Sequence, residues 1–273
     1  MEQLTNWNRL SLNQITTDML SLPQAVDACV RADVPSIALW RHKIAETGLA
    51  AASRLIRDSG LRVSSLCRGG MFPAATAEAR RERMDDNRRA VDEAAELGTG
   101  VLVLVCGPAP DRDIAGARRM VEEAIAELVP YAESCGVCLG IEPLHPMYAA
   151  ERSVINLLSQ ASEIAEQYRP DQVGIVVDAF HVWWDPGLYG QIERAAGRIV
   201  GYHVSDWIVP TPDLLMGRGM MGDGVIELRR IREAVEAAGY RGPIEVEIFN
   251  RAVWDLPVDE SLALIKSRYL EHV

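Results

Sequence analysis

Lysine is almost missing from this chain. Among 273 residues only Lys43 and Lys266 occur, so nearly all the positive charge is arginine. Schiff-base chemistry needs a lysine at the site, and only Lys43 falls near a strand end, which argues against that chemistry. Cysteine is sparse as well: Cys29, Cys67, Cys106, Cys135 and Cys138. An odd count with no paired framework reads as free thiols, and Cys135-Gly-Val-Cys138 lacks the second pair a zinc ribbon needs. It reads as two small apolar residues at a helix-to-strand turn. No run approaches the ~20 apolar residues of a membrane span, and the polar opening Met1 to Asn8 does not read as a signal peptide. A soluble, cytoplasmic protein is expected. No Pro/Ser-rich linker or low-complexity segment marks a boundary, so residues 1–273 read as a single domain. No Gly-x-Gly-x-x-Gly follows the first strand and no Walker loop occurs, so nothing supports a nucleotide fold. A basic balance is missing too. The formal net charge is -11, which argues against nucleic acid as a partner.

What is present is alternation. Apolar runs at Leu10 to Thr16, Ser36 to Trp40, Leu61 to Cys67, Val101 to Cys106, Val137 to Glu142, Val173 to Asp178, Ile199 to Val204 and Ile244 to Phe249 read as strands. Between them lie helical patterns at Pro23 to Ala32, Ile44 to Ser59, Ala77 to Leu97, Ile114 to Ser134, Ser153 to Tyr168, Leu188 to Ala196 and Glu227 to Ala238, with Asp259 to Leu270 last. Ser153 is the expected N-cap of its helix. Eight strand-helix units in 273 residues average about 34 residues each. Strict alternation means a parallel sheet, and eight such units close into a (β/α)8 TIM barrel.

In a barrel the active site lies at the C-terminal ends of the strands. Those ends carry Glu142 on the fifth, Asp178 on the sixth, His203 on the seventh and Glu247 on the eighth. The intervals are 36, 25 and 44 residues, each about one strand-helix unit. Three carboxylates aimed at one point repel one another unless a cation sits among them. Oxygen-rich ligands with one imidazole suit a divalent ion, Mn²⁺ first, with Mg²⁺, Co²⁺ and Zn²⁺ also compatible. Gly140 and Gly201 stand two residues before Glu142 and His203, on the same faces, and are expected to leave room beneath the ligands. Glu245 shares a face with Glu247, but Glu247 is nearer the tip and takes the metal role.

Five stretches now carry a resemblance. Ile141-Glu-Pro-Leu-His-Pro146, Val177-Asp-Ala-Phe-His181, Gly201-Tyr-His-Val-Ser-Asp206, the run from Arg218 through Gly222-Asp-Gly224, and Pro243-Ile-Glu-Val-Glu-Ile-Phe249 resemble the xylose-isomerase-like TIM-barrel family. The likeness spans the whole barrel, with its sharp motifs in residues 138–249. That family holds sugar isomerases, epimerases and dehydratases, and the repair enzyme endonuclease IV. The resemblance implies Glu142, Asp178, His203 and Glu247 as metal ligands, and His181 and Arg218 as contacts to substrate oxygens. It also implies a homo-oligomer, a dimer or tetramer. The ketose epimerases carry a further Glu shortly after the fifth-strand ligand, where this chain has His145-Pro-Met-Tyr148.

The chemistry expected is a metal-dependent isomerisation or epimerisation of a keto-sugar or keto-polyol through an enediolate. Glu142 and Glu247 act as the acid/base pair, with His181 steadying the oxyanion or shuttling a proton. Trp183 and Trp184, Trp40-Arg41-His42, His145, Arg68 and Phe72 are placed at the rim, and Trp184, His145 and Arg68 are counted as substrate contacts. Arg68 with Arg218 would hold a substrate phosphate, if there is one. Trp207 to Gly222 is long enough for a lid. The rival readings are a dehydratase or lyase on a keto-inositol or 3-keto-glycoside, and a sugar-binding barrel without catalysis. An abasic-site endonuclease needs a histidine-rich site. This chain has five histidines in all, one of them, His272, in the tail.

Overall fold

The apolar runs pair edge to edge into a closed ring. The computed structural model describes residues 3–273; Met1 and Glu2, where the polar opening starts, lie outside them. The barrel strands are β1 (Leu10–Asn13), β2 (Ser36–Trp40), β3 (Arg62–Gly70), β4 (Val101–Val105), β5 (Cys138–Ile141), β6 (Val173–Asp178), β7 (Ile199–Val204) and β8 (Ile244–Val246). Each pairs in parallel with its sequence neighbours, and β8 closes on β1 through Leu10 opposite Ile244. β-branched and leucine side chains fill these strands because both faces are covered, one by the helices and one by the barrel interior. Among the described residues, no helix is long and apolar enough to cross a membrane.

Beneath the site the packing explains two glycines. Val176, two residues before Asp178, lies between Gly140 and Gly201. A Cβ on Gly140 would meet Val176 Cγ2 at 2.9 Å, and one on Gly201 would meet it at 3.1 Å. The space expected beneath the ligands is therefore filled by valine, and the glycines are there because Val176 is large.

Four local expectations change. The helix expected over Ile44 to Ser59 is two, Arg41–Thr47 and Leu49–Ser59, broken at Gly48, whose φ of 84° no helix tolerates. Lys43 lies buried in the first of these and donates to the Asp18 carbonyl at 2.6 Å. The first strand stops at Asn13 and Gln14–Thr17 turn into a 3₁₀ segment. The Gly69-Gly70 pair, expected in a loop, continues β3 because the Asn87 side chain bonds both the Gly70 N–H (2.6 Å) and its carbonyl (2.8 Å). Ser153 caps nothing: it is buried and bridges to Gly107, so the helix starts later, at Leu158–Ala165.

Candidate metal centre and active site

The strand register aims four side chains at one point. Asp178 ends β6 and caps the short helix Ala179–Val182, its Oδ1 accepting from Phe180 N at 2.9 Å. His203 is the penultimate residue of β7. Glu142 and Glu247 stand one residue past β5 and β8 yet keep the ladder, donating from N to Leu104 O (3.2 Å) and Val204 O (3.1 Å). All four are buried. One potential ligand atom from each lies within 4.8 Å of the others. His203 Nδ1 is 3.3 Å from Glu142 Oε1 and 3.6 Å from Glu247 Oε2.

The orientation of His203 has a cause the sequence reading missed. Its other ring nitrogen, Nε2, lies 3.1 Å from Glu245 Oε2. Ser65 Oγ holds Glu245 at 2.8 Å, and Asn13 Nδ2 donates to Glu245 (3.2 Å) and Glu247 (3.3 Å). Asn13 is itself fixed, its Oδ1 accepting from Trp40 Nε1 at 2.7 Å. Carboxylates behind a ligating imidazole commonly fix its ring and tautomer in this way. Asn13 was legible only with the first strand ended at that residue.

The electrostatics suit a cation. Burial, reinforced by Glu247, pushes the Glu142 carboxyl up to about 7. Burial alone would lower His203, but the glutamates around it, Glu245 first, raise it well above the usual imidazole range. Glu142 Oε1 and His203 Nδ1 are buried without a hydrogen-bond partner. A buried acceptor without a hydrogen bond, Glu142 Oε1, among crowded carboxylates and beside one imidazole fits a divalent ion.

Arg218 already supplies part of the missing charge. It lies on the two-residue strand Arg218–Gly219, which pairs antiparallel with Asp206–Trp207. Its Nη1 donates to Asp178 Oδ2 (2.8 Å) and Glu247 Oε2 (3.0 Å), and Nη2 lies 3.1 Å from His181 Nε2. Its guanidinium is over Phe180 at 4.4 Å and Phe249 at 5.1 Å. Burial would raise Asp178, but Arg218 overrides it and holds the carboxyl at about 2. Burial also holds His181 down at about 3.

The rim residues divide. His145 stacks on Trp207 (5.0 Å) and meets Trp184 edge-on (5.6 Å), while Trp207 also covers Phe180 (4.9 Å) and Trp183 (5.6 Å). Trp184 Nε1 donates to the His181 carbonyl at 2.9 Å. Tyr148, unremarked in the sequence reading, lies edge-on to His181 and donates to the Leu214 carbonyl across the long loop. Asp206 pins that loop's base, accepting from the N–H groups of Trp207, Gly222 and Ile226. Three expected rim residues are otherwise engaged. Phe72 is buried in the hydrophobic core, Arg41 is bonded to Asp86 and Glu93, and exposed His42 faces Asp18. Arg68 is partly buried and borders an open cavity beside Trp40, Cys67 and Met71. All five cysteines are free.

Comparison with known proteins agrees with this fold. A protein from Sinorhizobium meliloti 1021, known from its crystal structure, is 50% identical, with a TM-score of 0.94 over 97% of this chain and 98% of that one. The inosose isomerase of Halalkalibacterium halodurans is 27% identical over 57% of this chain and 55% of its own length. The 3-dehydroshikimate dehydratase of Pseudomonas putida is 24% identical over 89% of this chain and 38% of its own. The chain thus spans about half, or less, of these two curated relatives. The crystal structure of the IOLI protein with a bound zinc atom shares the fold at 20% identity, with a TM-score of 0.84 over 97% of this chain and 98% of that one. The sequence pattern of xylose isomerase-like TIM barrels matches residues 26–268, and with the closed eight-stranded barrel in hand, this chain belongs to that family.

Proposed function

We propose that this protein is a divalent-metal-dependent isomerase or epimerase of a keto-sugar or keto-polyol. The observation that carries the reading is the buried cluster of Glu142, Asp178, His203 and Glu247 on four adjacent strands. Mn²⁺ fits this oxygen-rich set first, with Zn²⁺, Mg²⁺ and Co²⁺ also compatible. A bound ion supplies positive charge that polarises a carbonyl, acidifies the neighbouring C–H and stabilises an enediolate.

The chain's own residues do the rest. Glu142 and Glu247 come from the outer two of the four strands, so they flank whatever lies between. One takes the proton from the carbon and the other returns it, from the same face or the opposite one. His181, neutral at physiological pH because burial holds it near 3, places an imidazole beside the developing oxyanion. The Arg218 Nη2 at its side contributes a second donor for substrate oxygens. Trp207, Phe180 and His145 wall the mouth and keep water from the exchanging proton.

A second reading has its own support. The 3-dehydroshikimate dehydratase likeness covers 89% of this chain, and the segment after Glu142 lacks the second carboxylate of ketose epimerases. The same enediolate expels a β-substituent in an elimination. One experiment separates the readings. Protein loaded with Mn²⁺ is given ketoses, keto-inositols and 3-keto-glycosides in D₂O and followed by NMR. Deuterium entering carbon with every hydroxyl retained supports the isomerase or epimerase. Loss of water or of an aglycone supports the lyase. Silence with stoichiometric metal overturns both and leaves a sugar-binding barrel.

A further inference from the structure

Arginine is nearly the only cation in this chain, and its buried members are matched. Arg41 is bonded to Asp86 and Glu93, Arg218 to Asp178 and Glu247, and Arg9 to Glu236. Arg68 and Arg152 are different. Both are partly buried, and among the described residues neither side chain makes a hydrogen bond or an ion pair. Together they line one cavity of about 250 Å³, with Met71, Val105 and Glu151. Glu151 is exposed and pairs with neither. Two like charges converge there, and burial and then the Arg152 charge hold the Arg68 guanidinium below its ordinary value. Unmatched cations in a partly dry site are unfavourable until an anion arrives. The planar fork of a guanidinium suits bidentate oxyanions.

Arg68 lies toward the C-terminal end of β3 and Arg152 in the loop after β5, at the end of the barrel that carries the carboxylate cluster. The Arg152 guanidinium lies 5.4 Å from the Tyr148 ring, which meets His181 edge-on, centroid to centroid at 5.8 Å. One aromatic ring therefore separates Arg152 from the centre. Arg68 follows Cys67, which is buried against Val103 and Val176. Arg68 also borders the adjoining cavity of about 330 Å³ with Trp40, Gly69 and Gly70. Arg152 is placed by its backbone, whose carbonyl accepts from Gly107 N at 3.1 Å.

We propose that Arg68 and Arg152 grip an anion at the barrel mouth, so that the substrate carries a carboxylate or phosphate at the end away from Glu142, Asp178, His203 and Glu247. This rests on the catalytic reading of that cluster for the word substrate, but the grip itself does not. It differs from the pairing expected from sequence in setting Arg152, not Arg218, beside Arg68 as the anion pair; Arg218 Nη1 is bonded to Asp178 and Glu247.

The test uses the full chain with metal removed by EDTA, so that an added anion has no ion to bind. Inorganic phosphate and malonate are titrated and followed by ligand NMR. A saturable site is expected, weakened at least about tenfold, or about 1.4 kcal/mol, in both Arg68→Gln and Arg152→Gln. Arg152→Lys, which keeps the charge, retains part of the affinity and controls for folding. Tighter phosphate names the phosphate class, and tighter malonate the carboxylate class. Binding of neither anion, or binding unchanged in both glutamine variants, overturns the grip. Because nothing is turned over, silence in the deuterium assay with the anion site intact sinks the catalytic reading alone. Deuterium exchange on neutral sugars without anion binding sinks the grip alone.

Discussion

Replacing Arg218 with methionine tests how the metal-free centre tolerates its own charge. Arg218→Met keeps the length and the packing between Phe180 and Phe249 but removes the donors to Asp178 and Glu247. Both carboxylates are buried, and stripping one partner from a buried pair costs about 3–5 kcal/mol. For a chain of this size each kcal/mol moves the melting point by about 2–4 °C, so the metal-free variant should melt roughly 6–20 °C below the parent. A divalent ion offered to the variant meets no guanidinium competing for Asp178 Oδ2 and Glu247 Oε2. It should bind more tightly, and saturation should restore most of the loss. Binding at a hundred times Kd contributes about 2.7 kcal/mol. The assay is scanning fluorimetry of parent and variant after EDTA and after Mn²⁺ titration. The expected pattern is a low metal-free Tm and a larger metal-induced rise in Arg218→Met. Equal melting points without metal, or equal rises with it, would refute the idea that Arg218 stands in for the ion.

Three further outcomes are expected. Glu245→Gln should loosen His203 without removing a ligand and weaken Mn²⁺ binding about ten- to a hundredfold; competition against a fluorescent chelator measures it, and unchanged affinity would show that Glu245 does not position the imidazole. Metal-free protein should be less stable at pH 8 than at pH 6.5. Folding keeps a proton on Glu142 up to about 7 that the unfolded chain releases near 4.5, so roughly 3 kcal/mol of folding stability is lost between pH 4.5 and 7, of which only about 1 kcal/mol falls above pH 6.5. His203, raised above its unfolded 6.5, loses stability in the same direction, while His181, lowered to about 3, is neutral in both states above 6.5 and contributes nothing there. A higher Tm at pH 8 after EDTA treatment contradicts this. Tyr148→Phe removes the hydrogen bond to the Leu214 carbonyl, worth about 1 kcal/mol, so amides of residues 211–217 should exchange severalfold faster. Unchanged exchange means the loop is held elsewhere.

The architecture was legible because its signal is local. Unbroken apolar strands alternate with amphipathic helices, and a carboxylate at the end of Val173-Gly-Ile-Val-Val-Asp178 has no stabilising purpose in a core. The centre followed from spacing alone, since one strand-helix unit separates each of the four tips. What was not legible depends on contacts across the chain. Arg152 gains its place because its backbone pairs with Gly107 on another strand-helix unit, and that same pairing removed the helix expected to begin at Ser153. The Gly69-Gly70 pair looks like a turn until Asn87, 17 residues away, clamps Gly70 from both sides. Gly48 ended a helix that amphipathic spacing carried straight through. The two carboxylate partners of Arg218 Nη1 were not legible because they lie 40 and 29 residues distant in the chain.

One consequence follows from where the charges are mounted. The four residues of the centre hang from β5 to β8, whereas Arg68, Trp40 and Asn13 hang from β3, β2 and β1, and Arg152 from the loop after β5. On the proposed reading, the reacting end of a substrate is served by β5 to β8, with Asn13 on β1 steadying Glu245 and Glu247, and its distinguishing end by Arg68 on β3 with Arg152 after β5. On that reading, exchanging Arg68 and Arg152 would re-address the site to a new molecule, while the strand tips of β5 to β8 would keep the proposed proton transfer. A barrel divided in this way can diversify its diet without reinventing its chemistry.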